Sequence, residues 1–167
     1  DRAGLIQAKV ASGTQDASLE PAMTPAQAEA ALLAGARVAQ GAIADDADLI
    51  ALGEMGIGNS ASAALLMHRL APAPLDDCVG QGAGHSPEGM ARKRAVLARA
   101  AARSDATAPF EVLTQFGGYE IAMMAGALLA AARAGVPVLV DGFIGTAAAL
   151  LAVRLVPAAR DYCLFAH

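Results

Sequence analysis

Apolar and polar positions alternate along the chain in blocks that predict helices and strands in turn. Thr24 precedes Pro25 and stands three residues before Gln27, which is the pattern of a capped helix N-terminus. Apolar positions then recur at helical spacing, so we predict a helix over residues 24–41. The apolar run of residues 48–52 lies between a polar turn and a glycine cluster, which is typical of a buried parallel strand.

The same alternation continues to the end of the chain. It predicts further helices over residues 61–70, 86–103, 119–134 and 145–155, and further strands over residues 110–114, 136–140 and 162–165. Strands that alternate with helices indicate an α/β fold, in which a parallel sheet carries helices on both faces. Residues 1–23 are polar and interrupted by glycine and proline, so we expect an extended lead-in before a core of residues 24–167.

Residues 121–140 form the most apolar window, and their length would allow a membrane crossing. The window contains Arg133 and the turn sequence Gly135-Val136-Pro137, however, and much of it is alanine and glycine. We therefore predict a helix, a tight turn and a buried strand here, and we expect no membrane partner.

Composition narrows the class of protein further. With 167 residues, 56% of them hydrophobic and 17% charged, the chain suits one folded domain and not a disordered segment. The net charge of -4 argues against a nucleic-acid partner, because phosphate binding requires a basic face. Two cysteines, Cys78 and Cys163, suggest a reducing compartment, so we expect a cytoplasmic location. The three histidines lack metal-ligand spacing, and we predict no metal.

Three glycine-rich segments, residues 53–60, 115–119 and 141–146, fall where ligands bind in parallel sheets, beyond the carboxyl ends of strands. The first is the sharpest, because its glycines lead into Asn59 and Ser60 at a helix start. Backbone N–H groups and the helix dipole at such a position favour a phosphate. A plain tight turn explains the same residues equally well.

Three charged side chains lie near these segments. Glu54 could bond a ribose hydroxyl or ring nitrogen, or it could cap neighbouring N–H groups. Asp141 ends a predicted strand, where either an active-site carboxylate or a helix cap would stand. Lys93 could reach a phosphate or simply belong to a solvated helix face. The residues alone leave each pair of alternatives open.

Taken together, the motifs resemble the nicotinate-nucleotide–dimethylbenzimidazole phosphoribosyltransferase family. The matching segments are KVASGT at 9–14, PAM at 21–23, LGEMGIGNS at 52–60, GQGAG at 80–84, ARKRAV at 91–96, GGYEIAMMAGA at 117–127 and PVLVDGFIGTAAAL at 137–150. The resemblance covers the whole chain but only the middle portion of the family's length. The chain is therefore expected to be an incomplete piece of a larger two-domain enzyme.

The resemblance implies an activity and an architecture. The family transfers phosphoribose from nicotinate mononucleotide to 5,6-dimethylbenzimidazole, giving nicotinate and α-ribazole 5′-phosphate in the assembly of the cobalamin nucleotide loop. It implies a Rossmann-like core, here residues 24–167 in part, a homodimer, two small-molecule substrates and no cofactor. An alternative is a non-catalytic nucleotide-binding or assembly module derived from the same core.

The resemblance also implies roles for individual residues. Those expected on the phosphate side are Gly56, Ile57, Gly58, Asn59, Ser60, Gly82, Gly84 and Lys93. Those expected on the ribose and base side are Glu54, Asp141, Gly142, Phe143 and Thr146. The family's general-base glutamate is expected beyond His167, with Glu54 as the one weak candidate inside the chain. The 167 residues alone are therefore expected to be inactive.

Overall fold

The structure, a computed structural model, describes residues 5–80 and 86–166. Seven α-helices and three β-strands form in these residues: α1 Pro25–Ala44, β1 Ile50–Leu52, α2 Asn59–Leu70, α3 Leu75–Cys78, α4 Pro87–Arg103, α5 Pro109–Phe116, α6 Tyr119–Arg133, β2 Val138–Val140, α7 Gly142–Leu155 and β3 Cys163–Phe165. A 3₁₀ helix, Pro157–Tyr162, connects α7 to β3.

Helix starts follow the capping residues of the sequence. The Thr24 hydroxyl accepts the Gln27 N–H at 3.2 Å, and the Gln27 side-chain oxygen accepts the Thr24 N–H at 2.9 Å. This reciprocal box satisfies two N–H groups that the first turn of α1 cannot bond internally. At the start of α4, the Ser86 hydroxyl accepts the Gly89 N–H at 3.2 Å. The starts of both helices are thus confirmed.

The three strands form one parallel sheet in the order β1-β2-β3. In its register Leu52 lies opposite Val140, and Val140 lies opposite Phe165. Helices α6 and α7 pack on β2, where Val138 and Val140 are fully buried. The prediction of an α/β fold with a parallel sheet flanked by helices is therefore confirmed.

The two faces of the sheet differ in how closely the described helices cover them. Right-handed crossovers between neighbouring strands in the order β1-β2-β3 place their connections on the same face. The opposite face carries Ala51, Leu139 and Leu164, of which Leu139 is half-buried and the other two are exposed. The described helices thus pack mainly on the face that bears Val138 and Val140.

The predicted strand at residues 110–114 is wrong, because these residues lie inside helix α5. Short apolar runs are ambiguous between strand and helix, and Phe, Val and Thr favoured the strand. Pro109 instead occupies the first turn of the helix, a position that suits its fixed φ angle. Val112, Leu113 and Phe116 then fall on one helical face and are completely buried.

The apolar window of residues 121–140 divides as the sequence predicts. Most of it lies in α6, Gly135 turns the chain at a φ of 77°, and β2 follows. In the part of the chain that the structure describes, no helix has the length and apolarity needed to cross a membrane.

Helices α1 and α6 approach each other through two glycines. A Cβ atom placed on Gly35 would overlap the backbone carbonyl of Met123, and one on Gly126 would overlap the carbonyl of Leu32. The two backbones can therefore meet at this distance only where side chains are absent. Buried alanines such as Ala28 and Ala31 extend the same close contact along α1.

We expect Gly35→Ala to lower the free energy of unfolding by about 1–3 kcal/mol, since the added methyl group forces the two helices apart. Gly41→Ala is the matched control, because Gly41 lies in the same helix with open space around it. That substitution should raise stability by about 0.5–1 kcal/mol through helix propensity. Urea denaturation checks both values, and equal effects at the two positions would contradict the close-contact interpretation.

Candidate functional site

The candidate site lies at the carboxyl edge of the sheet. Because β1 and β2 are adjacent and parallel, Leu52 and Val140 end side by side. The segments that follow them, residues 53–58 and residue 141, therefore leave the sheet at the same edge. The sequence predicted both segments as binding elements, and ligands of open α/β sheets bind at this edge.

Residues 56–60, here called the glycine turn, connect this edge to α2. Gly58 stands at the N-cap of α2 with a φ of 84°, a conformation that strains any residue with a side chain. A Cβ on Gly56 would lie 2.6 Å from the side-chain nitrogen of Asn59. The turn therefore needs a glycine at position 58 for its backbone angle, whereas a side chain at position 56 would displace the Asn59 amide.

Glu54 and Asn59 are connected directly. The Asn59 amide nitrogen donates a hydrogen bond to a Glu54 carboxylate oxygen, and both side chains lie at the solvent-exposed edge. This bond holds the carboxylate beside the glycine turn. This bond differs from the capping alternative for Glu54, because the donor is the side-chain amide of Asn59, the first residue of α2, and not a backbone N–H.

Lys93 reaches the same place from α4. Its ammonium nitrogen donates to the Ser60 hydroxyl at 3.1 Å and to the Gly80 carbonyl at 3.0 Å. Partial burial lowers the pKa of Lys93 below its ordinary value, because desolvation disfavours the charged form. The ammonium group is therefore held beside the glycine turn by two hydrogen bonds, while its role in phosphate binding stays a prediction.

A cavity of about 810 Å³ opens between the glycine turn, α4 and the start of α7. Its lining combines the glycine turn and two cationic side chains of α4 with apolar side chains of α4 and α7. The lining residues are Gly56, Ile57, Gly58, Asn59, Ser60, Ala61, Gly80, Gly89, Arg92, Lys93, Val96, Leu97, Phe143 and Ile144.

The cavity brings together most of the residues predicted for the phosphate side. All five residues of the glycine turn line it, and so does Lys93; of the residues predicted for the ribose and base side, Phe143 lines it. Asp141 and Gly142 directly precede Phe143 at the start of α7, where Gly142 has a φ of 72°. Gly82 and Gly84 lie outside the described residues.

Thr146 lies elsewhere. Its hydroxyl donates to the Gly142 carbonyl at 2.8 Å, inside the first turns of α7. Its side chain lines a smaller apolar pocket of about 240 Å³ with Met67, Leu150 and Phe165. The structure therefore separates Thr146 from the cavity, while its role in substrate binding stays a prediction.

Sequence reasoning missed the contribution of α4 beyond Lys93. Gly89, Arg92 and Val96 line the cavity as well, because their spacing places them on the same helical face as the lysine. The spacing predicts that these residues share one face of α4, but only the packing of α4 beside the glycine turn shows that this face lines the cavity.

The described lining contains no carboxylate, and its charged groups are the two cations of α4. Among residues 5–80 and 86–166, no three histidine, cysteine or carboxylate side chains lie close enough together to hold a metal ion. Chemically, this lining is suited to bind an anion that carries an apolar group. Among the described lining residues there is no carboxylate or imidazole that could act as a base.

Comparisons with known proteins show what this chain is similar to. A family model described as phosphoribosyltransferase matches residues 1–167. A nicotinate-nucleotide–dimethylbenzimidazole phosphoribosyltransferase from Cupriavidus taiwanensis is 55% identical over 166 residues, which are 98% of this chain and 48% of that protein. The crystal structure of the Thermus thermophilus enzyme of the same name superposes with a TM-score of 0.92 at 44% identity. The match covers 100% of this chain and 49% of the Thermus chain. The chain thus spans about half the length of the relatives it matches.

We expect Gly58→Val to weaken binding of ribose 5-phosphate about tenfold or more, a loss of about 1.4 kcal/mol. A β-branched residue cannot adopt the left-handed angle without strain, so the turn would change conformation and move its N–H groups. Gly53→Val is the control, because Gly53 has open space and an ordinary φ angle. Isothermal titration calorimetry measures both, and unchanged affinity in the Gly58 variant would contradict an anion site at the turn.

Lys93→Met should weaken binding of ribose 5-phosphate about ten- to hundredfold, because a hydrogen bond from a charged donor contributes about 1.5–3 kcal/mol. Lys9→Met is the matched control, since Lys9 is the only other lysine and lines a different cavity. The loss should shrink for ribose, which lacks the phosphate. An equal loss for the sugar and its phosphate would show that the lysine supports the local fold only.

Proposed function

The chain belongs to the nicotinate-nucleotide–dimethylbenzimidazole phosphoribosyltransferase family, and from this premise we propose that it supplies the nucleotide-binding half of a phosphoribosyl transfer. The donor is nicotinate mononucleotide and the acceptor is 5,6-dimethylbenzimidazole. The products are nicotinate and α-ribazole 5′-phosphate, for the nucleotide loop of cobalamin. One observation carries the proposal: the glycine turn and Lys93 face the same cavity beyond the carboxyl ends of the strands.

In this proposal the glycine turn binds the ribose phosphate. The first N–H groups of a helix have no partner inside it, and the positive end of the helix dipole favours an anion. Lys93 adds a full positive charge at the Ser60 hydroxyl, on the same turn. At the first turn of α2 the phosphate would thus contact backbone donors, the Ser60 hydroxyl and the ammonium group that Lys93 extends from α4.

Glu54 and Asp141 have a different role, on the ribose side. As the pyridine ring leaves, positive charge develops at the anomeric carbon, and a nearby carboxylate stabilises that charge. The bond from Asn59 fixes Glu54 at the border of the glycine turn. Asp141 stands at the end of the neighbouring strand, so both carboxylates lie at the sheet edge where the ribose is proposed to bind.

The acceptor base must lose a proton as it attacks, and that step needs a proton acceptor within hydrogen-bond reach. The lining of the cavity in the described residues contains no carboxylate, and Glu54 is already bonded to Asn59. We therefore propose that these 167 residues bind the nucleotide but do not provide the general base. The remaining half of the enzyme, as in the relatives of twice this length, would provide it.

Other expectations from the family remain part of the proposal. They are a partial Rossmann-like core over residues 24–167 behind a lead-in of residues 1–23, a homodimer, and a cytoplasmic location. Both cysteines are free thiols, as a reducing compartment would favour. The alternative function, a non-catalytic nucleotide-binding or assembly module, predicts the same binding and is distinguished by turnover.

We expect the 167-residue chain to bind nicotinate mononucleotide and to form no α-ribazole 5′-phosphate, because a positioned base contributes about 10²–10⁴-fold. A chimera in which the chain replaces the matching half of the Cupriavidus taiwanensis relative should form the product. Chromatographic detection of the product measures both. Turnover of about 1 s⁻¹ by the chain alone would place the base inside it. A chimera that binds nucleotide without turnover would support the non-catalytic alternative.

A further inference from the structure

Two cations of α4, Arg92 and Lys93, line the same cavity. They differ in what they contact. Lys93 is held by the Ser60 hydroxyl and the Gly80 carbonyl, next to the glycine turn. Among the described residues, the exposed guanidinium of Arg92 has no recorded hydrogen bond or ion pair. The cavity thus has one cation at its phosphate side and a second that is available for another anion.

The proposed donor also carries two anions. Nicotinate mononucleotide has a phosphate at one end and a carboxylate on its pyridine ring at the other. A phosphate fills only a small part of the cavity of about 810 Å³. Val96, Leu97, Phe143 and Ile144 provide the apolar wall of the remaining space. Such a wall fits the flat ring that joins the sugar to the carboxylate.

Helical spacing puts Arg92 next to this apolar wall. Val96 follows Arg92 by four residues, so the two side chains are neighbours on the surface of α4. A guanidinium group can bind both oxygens of a carboxylate through two parallel N–H donors. A carboxamide offers it a single oxygen without charge, and its NH₂ group donates where the guanidinium also donates. Arg92 would therefore prefer an acid to an amide at the same ring position.

We propose that Arg92 determines specificity for the leaving base, by binding the ring carboxylate of nicotinate mononucleotide and thereby disfavouring nicotinamide mononucleotide. This inference rests on the proposed function, because it needs a nucleotide whose phosphate lies at the glycine turn. It assigns separate anions to neighbouring residues: the phosphate to Lys93 and the carboxylate to Arg92.

The test compares Arg92→Gln with Arg94→Gln in the 167-residue chain. Arg94 is exposed on the same helix and does not line the cavity, so it controls for the loss of one positive charge. Calorimetric titrations use three ligands: nicotinate mononucleotide, nicotinamide mononucleotide and ribose 5-phosphate. The unmodified chain should bind the nicotinate nucleotide about tenfold or more tightly than the nicotinamide nucleotide.

Arg92→Gln should remove this preference by weakening the nicotinate nucleotide about tenfold, while the other two ligands change less than about twofold. Arg94→Gln should leave all three affinities and the preference unchanged. An equal loss for all three ligands in the Arg92 variant would overturn the inference, because it would place Arg92 at the phosphate. A preference that survives Arg92→Gln would overturn it too, with the proposed function intact. Failure of the unmodified chain to bind ribose 5-phosphate would instead contradict the proposed function, and the inference with it.

Discussion

The parallel pairing of β1 with β2 is the constraint on which the site depends. Leu52 and Val140 are partners in register, so the chain leaves both strands at the same edge and the same height. The glycine turn follows the first strand, and Asp141 and Phe143 follow the second. A shift of register would move one group relative to the other by about 3.3 Å per residue, more than a hydrogen bond tolerates. Binding chemistry at this edge is thus a consequence of the sheet.

Helix α4 carries the two cations, yet it contributes little to the core. Only Leu97, Ala100 and Ala101 of its residues are buried. Polar contacts to α2 hold it at two places instead. In the middle of α4 Lys93 donates to Ser60, and at the end of α4 the Arg69 guanidinium donates to the carbonyls of Ala101 and Ser104, at 2.5 and 2.6 Å.

The Arg69 guanidinium also lies 5.8 Å from the centre of the Phe116 ring, which is fully buried. A partly buried guanidinium is retained where hydrogen bonds and a ring face compensate its desolvation. The position of Arg92 and Lys93 therefore depends on α2, the same helix whose first turn is proposed to bind the phosphate. One helix positions both the backbone donors and the cationic side chains.

The sequence predicted those features that depend on neighbouring residues. The capping box at Thr24 and the glycine turn before α2 are local patterns, and the structure contains both. The composition of residues 110–114 suits a strand as well as a helix, so the sequence predicts a strand there. A helix forms because it places Val112, Leu113 and Phe116 together in the core. The place of Arg92 at the cavity and of Thr146 outside it depends on how helices pack across the sheet. No pattern along the chain specifies that packing.

The central claim is that the glycine turn binds the phosphate of a sugar phosphate, and backbone amide chemical shifts test it most directly. In a two-dimensional nitrogen–proton NMR titration of the labelled chain with ribose 5-phosphate, the account predicts that the largest shifts occur at residues 56–60. The chain provides a comparison, a groove of about 770 Å³ between residues 6–10 and α1 that also carries two cations, Lys9 and Arg37. Shifts centred on that groove, with residues 56–60 unchanged, would contradict the account.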